Sequence, residues 1–326
     1  MDEASPREQS RAQPEVTFSV VVPVFNSAAI VSSLHGRLVA VFEELGEPFE
    51  LIFVEDAGTD GSWAELASLA ERDRRTTAIQ LMKNSGQGSA TVCGLSRAHG
   101  AFIITIDDDL QHPPEEIPRL VDRLTSDPEL DVVLGVPREK QHAPGRRVGS
   151  WIVDRMNTLM LGKPAGLRYS GFRVMRAGVA AEVSSQRVHQ PALGPVLTSI
   201  TGRIANVEVE HHRRAQGHSG YTPVRLLRQT MSNAIGYSML PLRLLAGVGM
   251  IGIVGSLALA AVFLIRFLTG GTAVPGFTTQ ALLITALFGF NFFAFGVLGE
   301  YVLRILQLSS ARPTFTVRHE VRPPPT

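Results

Sequence analysis

The chain has 326 residues, with 31 Lys and Arg against 30 Asp and Glu, enough for one sizeable domain and a further element. A net charge of +1 supplies no bulk positive field of the kind that gathers nucleic acid. A single cysteine, Cys93, excludes an internal disulfide and offers no thiolate cluster for a metal.

Residues 1–15 lack the apolar run of a cleavable signal peptide and read as a disordered leader. Continuous apolar runs then recur at 18–24, 49–55, 77–82, 102–107 and 131–136. Such runs read as strands covered on both faces of a parallel sheet. Amphipathic stretches separate them, for example 62–73 with Ser62 as N-cap. This alternation predicts a doubly wound α/β domain, in which ligands bind beyond the carboxyl ends of the strands. The sequence "IANVEVE" predicts one more strand before His211 and His212, for which no metal partners are evident. Cys93 falls on an apolar helix face and reads as core.

From Leu244 to Ile265, and again from Ala281 to Gly299, no charged residue occurs. Each stretch is roughly 20 residues, the length of a helix that spans a bilayer core. A pair of buried core helices is the alternative. Arg225, Arg228 and Arg243 precede the first stretch, and Arg304 and Arg312 follow the second. The connecting loop carries no Lys or Arg beyond Arg266 at its edge, so both ends are expected in the cytoplasm. The expected organisation is a leader (1–15), a catalytic domain (16–222), a juxtamembrane amphipathic helix (223–243), two transmembrane helices within 244–308 (244–267 and 279–303) and a cytoplasmic tail (309–326).

The five strand ends gather an unusual chemistry. Pro23, Val24, Phe25 and Asn26 end the first run, and Glu55 and Asp56 the second. Lys83, Asn84 and Gln87 follow the third, Asp107, Asp108, Asp109 and Gln111 the fourth, and Arg138 and Lys140 the fifth. Adjacent carboxylates repel, and a hard divalent cation with phosphate oxygens would relieve that repulsion. In an extended chain Asp107 and Asp109 share one face, Gln111 continues it, and Asp108 points away. Pro113 and Pro114 suit a rigid turn into a helix, with Glu115 and Glu116 as structural acids in its first turn. Neither the P-loop pattern nor G-x-G-x-x-G after the first strand is present, which argues against an NTPase and a nicotinamide enzyme. The glycines of "NSGQGS" are compatible with a ligand's close approach or with a plain turn.

The segments "SVVVPVFN", "VEDAGTDGS", "LMKNSGQGSATVCGLSRAHGAFIITIDDDLQHPPEEIPRLV", "DVVLGV" and "GHSGY" resemble family 2 glycosyltransferases, and among them the bacterial polyprenyl-phosphate glycosyltransferases. The hydrophobic hairpin and "ARPTFTVRHEVRP" extend the resemblance over about residues 16–322. The resemblance implies a GT-A domain with a two-helix membrane anchor. It implies inverting transfer of a sugar from a nucleotide-sugar to polyprenyl phosphate at the cytoplasmic face of the inner membrane, with a UDP-linked donor favoured and a GDP-sugar-using enzyme similar to dolichyl-phosphate mannose synthase as the alternative. It implies Mg2+ or Mn2+ as cofactor and a homo-oligomer as a further expectation. By position it assigns Pro23, Val24, Phe25, Asn26, Asp56, Gly58, Lys83, Gln87, Asp107 and Asp108 to the nucleotide-sugar. The metal falls to Asp107, Asp109 and Gln111, and catalysis to Asp109, Arg138, Arg147 and Arg214. Departures are Ser27 for a usual Glu, Ala57 and Gly58 for Gly-Ser, Leu167 for a frequent Asp, and Gly220 for a frequent Lys. They bear on the donor sugar and base, and they keep a catalytically weak membrane scaffold as the competing reading. A nucleotidyltransferase on a similar fold is a further alternative, which the hairpin argues against because its substrates are soluble.

Overall fold

The computed structural model describes residues 16–138, 164, 166–186, 192–212 and 314–322, with scattered positions between 247 and 305. The chain divides into two compact units. One comprises Met1–Ala143, Pro164–Ser219 and Pro313–Thr326; the other comprises Pro144–Lys163 and Gly220–Arg312.

The first unit opens with β1 (Phe18–Val24), whose seven residues are all buried. A strand with no exposed face must be covered by helices on both sides. The cover alternates with the strands: α1 (Ala28–Leu45), β2 (Phe49–Glu55), α2 (Ser62–Arg72), β3 (Thr76–Leu81), α3 (Gln87–Leu95) and β4 (Phe102–Thr105). On α1 the buried positions Val31, Leu34, Leu38, Val41 and Phe42 recur at helical spacing and form one packed stripe. A 3-10 turn at Pro114–Glu116 leads into α4 (Ile117–Thr125). Then come β5 (Val132–Pro137), β6 (Arg173–Arg176), α5 (Ala177–Ser185), α6 (Leu193–Ile200), β7 (Ile204–Val209) and β8 (Val317–Val321).

The sheet order is β7-β5-β6-β4-β1-β2-β3-β8. β1, β2, β3 and β4 run parallel, and β1 lies between β2 and β4. The chain therefore winds outward from β1 on one side, then returns to start again on the other. Such a switch point opens a crevice between the loops after β1 and β4. β5 is separated from β4 by β6, which is antiparallel to both. β5 still points the same way as β4, so its carboxyl end reaches the same crevice, and the residues entering β6 line it too. Residues 106 and 107, read as strand, lie past the end of β4.

Two further expectations are corrected. Ser62 is the first residue of α2 rather than its cap. Asp60 does the capping, for two helices at once: one carboxylate oxygen accepts from the Ser62 N–H (3.0 Å), the other from the Ala28 N–H that opens α1 (2.9 Å). The tail contains β8, which pairs antiparallel with β3. Trp63 stacks on His319, and Arg97 pairs with Glu320.

The second unit is described at few positions. Gly247, Ile251, Val254, Ala258, Ala261 and Ile265 are helical and exposed, as are Gln280, Ile284, Leu287 and Asn291. Among the described residues no helix is long and apolar enough to cross a membrane; the predicted spans 244–267 and 279–303 fall mostly outside the described residues, as do the leader and the helix expected at 223–243.

In α3 every residue from Ser89 to Leu95 is buried. At Gly94 a Cβ would collide with Val21 Cγ1 of β1. Gly94→Ala should therefore destabilise the first unit by about 1–3 kcal/mol through overpacking, despite the gain in helix propensity; denaturant unfolding of the variant against the parent checks this.

Candidate active site

The carboxylates after β4 are not extended. Residues 108–112 turn, and Leu110 adopts the left-handed conformation (φ 55°). The turn separates the acids by giving each its own partner. Asp107 Oδ1 accepts from Gln87 Nε2 at 2.6 Å. Asp108 Oδ2 accepts from the Phe25 N–H (3.0 Å) and from Ser27 Oγ (2.6 Å). Asp109 accepts from the backbone N–H of Gln111 at 3.1 Å and from its side-chain amide. The expectation that Asp107, Asp109 and Gln111 share one face of an extended chain is corrected: the chain turns here instead, and the three acids take different partners.

Asp107 is the most perturbed of the three. Burial, and then the charge of Asp109, push its carboxyl up to about 6, while Arg173 opposes the shift. Asp108 is also raised by burial, against the hydrogen bonds from Ser27 and Phe25. Gly171 presses against Asp107: a Cβ there would stand 2.6 Å from Oδ2. Arg173 is buried behind it, with Nη1 lacking a hydrogen-bond partner. An isolated buried guanidinium is costly, and the nearby carboxylate compensates it.

The neighbouring loops are tied to one another in the same way. Asp56 is buried, and its two oxygens accept from the N–H groups of Ser85 (2.7 Å) and Gly86 (2.8 Å). This holds the "NSGQGS" loop and the start of α3. Burial raises its carboxyl and the two amides pull it back only in part. Asn26 Oδ1 accepts from the Thr59 N–H (2.8 Å). Glu55 is buried, accepts from the Gly58 N–H through Oε1 and leaves Oε2 without a partner. Gly58 packs closely here: a Cβ would lie 2.6 Å from Asn26 Oδ1, so a larger residue would have to displace that side chain. Among the described non-glycine residues, positive φ occurs at Asn26, Ala57 and Leu110, all in these loops. Concentrated backbone strain of this kind is found where a loop must present groups to a ligand. Phe25 stands exposed at the rim.

Residues 19–184 match the family model for glycosyl transferase family 2. The chain belongs to that family. As a family 2 glycosyltransferase it shares its fold with mannosyl-3-phosphoglycerate synthase from Rubrobacter xylanophilus: 20% identity, 72% of this chain and 75% of that one covered, TM-score 0.51. Glucosyl-3-phosphoglycerate synthase from Mycobacterium tuberculosis, crystallised with Mn2+ and UDP-glucose, gives 17% identity over 68% of this chain and 77% of that one, with a TM-score of 0.49.

In this glycosyltransferase the residues that the resemblance assigns to the nucleotide-sugar, Pro23, Val24, Phe25, Asn26, Asp56, Gly58, Lys83, Gln87, Asp107 and Asp108, lie at one end of the sheet. Their roles there differ from a simple list of ligands. Asp56 spends both oxygens on loop backbone and Asp108 accepts from the Phe25 N–H and the Ser27 hydroxyl, whereas Phe25 and Lys83 stand exposed. Arg138 is exposed at the end of β5, its N–H donating to Val209 O. Arg147 and Arg214 lie outside the described residues, as does Gly220. Leu167 is buried, which suits a leucine and not the family's frequent Asp. Glu115 pairs with Arg37 and is structural as expected. Cys93 is buried, and burial pushes its thiol up to about 12, so it is inert.

Among the described residues no group of three His, Cys, Asp or Glu could hold a metal ion. Two carboxylates facing a shared crevice, with substrate phosphate and water completing the shell, are nonetheless the set that suits Mg2+ or Mn2+. The crowding of Asp107 by Asp109 is what a cation would relieve. Three participants were not legible in the sequence: Arg173, Gly171 and His112. The His112 ring packs 5.0 Å from that of His211 and 5.3 Å from that of Phe172, and the His212 N–H donates to Gln111 O at 2.9 Å. Burial, and then His211, push His112 down to about 4, so it is neutral. The exit of β7 thus braces the carboxylate loop.

Asp107 is held above its unfolded value, so the folded state binds more protons than the unfolded one between about pH 4 and 6. Its contribution to stability falls as pH rises through that window. Asp107→Asn should therefore gain stability relative to the metal-free parent from about pH 4 to 6 and keep the gain above it; urea midpoints measured across this range in chelator check the sign.

Proposed function

We propose that this family 2 glycosyltransferase is a membrane-anchored inverting enzyme. It moves a sugar from a nucleotide diphosphate sugar, UDP-linked in preference to GDP-linked, to a polyprenyl phosphate such as undecaprenyl phosphate at the cytoplasmic face of the inner membrane. What supports the lipid acceptor is the pair of uncharged stretches, Leu244 to Ile265 and Ala281 to Gly299, each roughly the length of a bilayer-spanning helix, in a segment that leaves the catalytic unit and returns to it. Ile251 is 74% exposed and Ile265 61%, which is costly in water and favourable against lipid. Because β8 rejoins the catalytic sheet, a membrane excursion between residues 212 and 314 must cross an even number of times. A two-helix hairpin meets that condition and agrees with the distribution of arginines.

The chemistry follows from the crevice. The nucleotide is received by the loops after β1, β2 and β3, with Phe25 as an exposed aromatic face. Asp107 and Asp109, with Gln111 beside them, would hold Mg2+ or Mn2+, which neutralises charge on the leaving diphosphate. Asp108 adds to the negative charge felt by Asp107, and its bonds with Phe25 and Ser27 keep the β1 loop on the donor. A phosphate monoester is already anionic near neutral pH, so its oxygen attacks without a general base. Positioning and electrostatics then suffice, and Arg138 stands where it meets the acceptor.

Transfer of radiolabelled sugar from a panel of UDP- and GDP-sugars is measured in membranes containing the protein. The acceptors are undecaprenyl and decaprenyl phosphate, with 3-phosphoglycerate as a soluble comparison. Label should enter the lipid fraction only with Mg2+ or Mn2+, and Asp109→Ala should lower the rate at least about a hundredfold. Transfer to 3-phosphoglycerate alone would sink the lipid reading; no transfer to any acceptor from folded protein would favour the scaffold.

A further inference from the structure

Arg168 belongs to no site described so far, and its surroundings are unusual. It lies in the segment that enters β6. Because β6 is antiparallel to β4 and β5, this segment sits beyond their carboxyl ends, on the crevice. Thr105 at the end of β4 donates to Gly171 O at 2.7 Å, which fixes the segment against the carboxylate loop. The backbone of Arg168 is held on both sides by one side chain of β7. Its N–H donates to Asn206 Oδ1 (2.7 Å), and Asn206 Nδ2 donates back to its carbonyl (2.9 Å). Among the described residues the guanidinium makes one bond, from Nη1 to the carbonyl of Pro137, the last residue of β5, at 3.2 Å.

Arg37, Arg75, Arg97, Arg119, Arg123, Arg203 and Arg322 each meet a carboxylate. Arg168 meets none among the described residues, although it is exposed. The position before it, where a carboxylate is frequent in related sequences, is the buried Leu167. An exposed planar cation with a fixed backbone and, among the described residues, one side-chain hydrogen bond is arranged to receive an oxyanion.

The strand order says which one. The donor loops follow β1, β2 and β3, and the diphosphate end is marked by Asp107 and Asp109 after β4. Arg168 and Arg138 lie on the opposite side of those acids, at β6 and β5. We propose that Arg168 binds the phosphate group of the acceptor, sharing it with Arg138, and so orients the attacking oxygen toward the donor. The assignment of an acceptor phosphate rests on the function proposed above; the anion site itself does not.

The test compares the full chain with Arg168→Gln, Arg168→Lys and Asn206→Ala in two readouts. The first is binding of dodecyl phosphate, a soluble phosphate monoester, which needs no transfer. The second is steady-state transfer at varied donor and acceptor, alongside equilibrium binding of UDP with Mn2+. Arg168→Gln should weaken dodecyl phosphate binding and raise the acceptor KM about tenfold to a hundredfold, with donor KM and UDP binding unchanged. Arg168→Lys should recover part of the loss, and Asn206→Ala should show a smaller shift in the same two quantities. If the parent transfers no sugar yet binds dodecyl phosphate through Arg168, the anion site stands and the proposed reaction fails. If the parent does not bind dodecyl phosphate, or Arg168→Gln binds it and uses acceptor like the parent, the inference is overturned and Arg168 is a brace for the end of β5. A change confined to donor KM and UDP binding overturns it as well, by moving Arg168 to the diphosphate.

Discussion

Three consecutive carboxylates at the end of a buried strand cannot share one environment. Their mutual repulsion has to be divided, and the architecture of the crevice follows from how this is done. The left-handed residue Leu110 bends the chain so that each acid meets a different element. Asp107 goes to α3 through Gln87, Asp108 to the β1 loop, and Asp109 to its own turn through Gln111. The buried Arg173 supplies positive charge behind Asp107. Neutralising part of this charge internally leaves Asp107 and Asp109 available to a cation while the loop stays folded.

The same economy recurs in the other loops. Asp60 caps two helices, and Asp56 takes two amides of a third loop. These acids lock the loops after β1, β2 and β3 to one another. Preorganised loops have less to reorganise when a ligand arrives, which is where electrostatic catalysis gains most. Ser27 is intelligible in this setting. A glutamate at that position would face Asp108, whereas the serine hydroxyl donates to it. The departure from the family pattern and the middle acid of the triplet are therefore one arrangement and not a defect.

Much of this was legible before any coordinates. β1 and β2 were readable to the residue because a strand buried on both faces leaves an unbroken apolar run. The strand ends could be sorted into one crevice because parallel strands share a polarity. Asp107, Asp109 and Gln111 stood out because such a cluster has no purpose in a strand end alone. The tail at 317–321 was not legible as a strand: "VRHEV" alternates weakly, and its partner β3 lies more than 200 residues earlier in the chain. β6 was missed for a related reason. It has four residues, too few for periodicity to register.

The sequence by itself determined the α/β class, the carboxylate cluster, the two uncharged stretches and the membership of family 2, because these reside in local pattern and composition. Tertiary structure decided which acid does what. Asp56 reads as a ligand of the nucleotide-sugar, and only the fold shows it spending its oxygens on the backbone amides of Ser85 and Gly86, while Asp60 ties the start of α2 to that of α1. It also decided that β6 sits between β4 and β5, which brings Gly171 and Arg173 against Asp107 and places Arg168 at the mouth of the crevice. Such contacts join residues 60 or more positions apart, and no local pattern encodes them because their energy exists only once the sheet has formed.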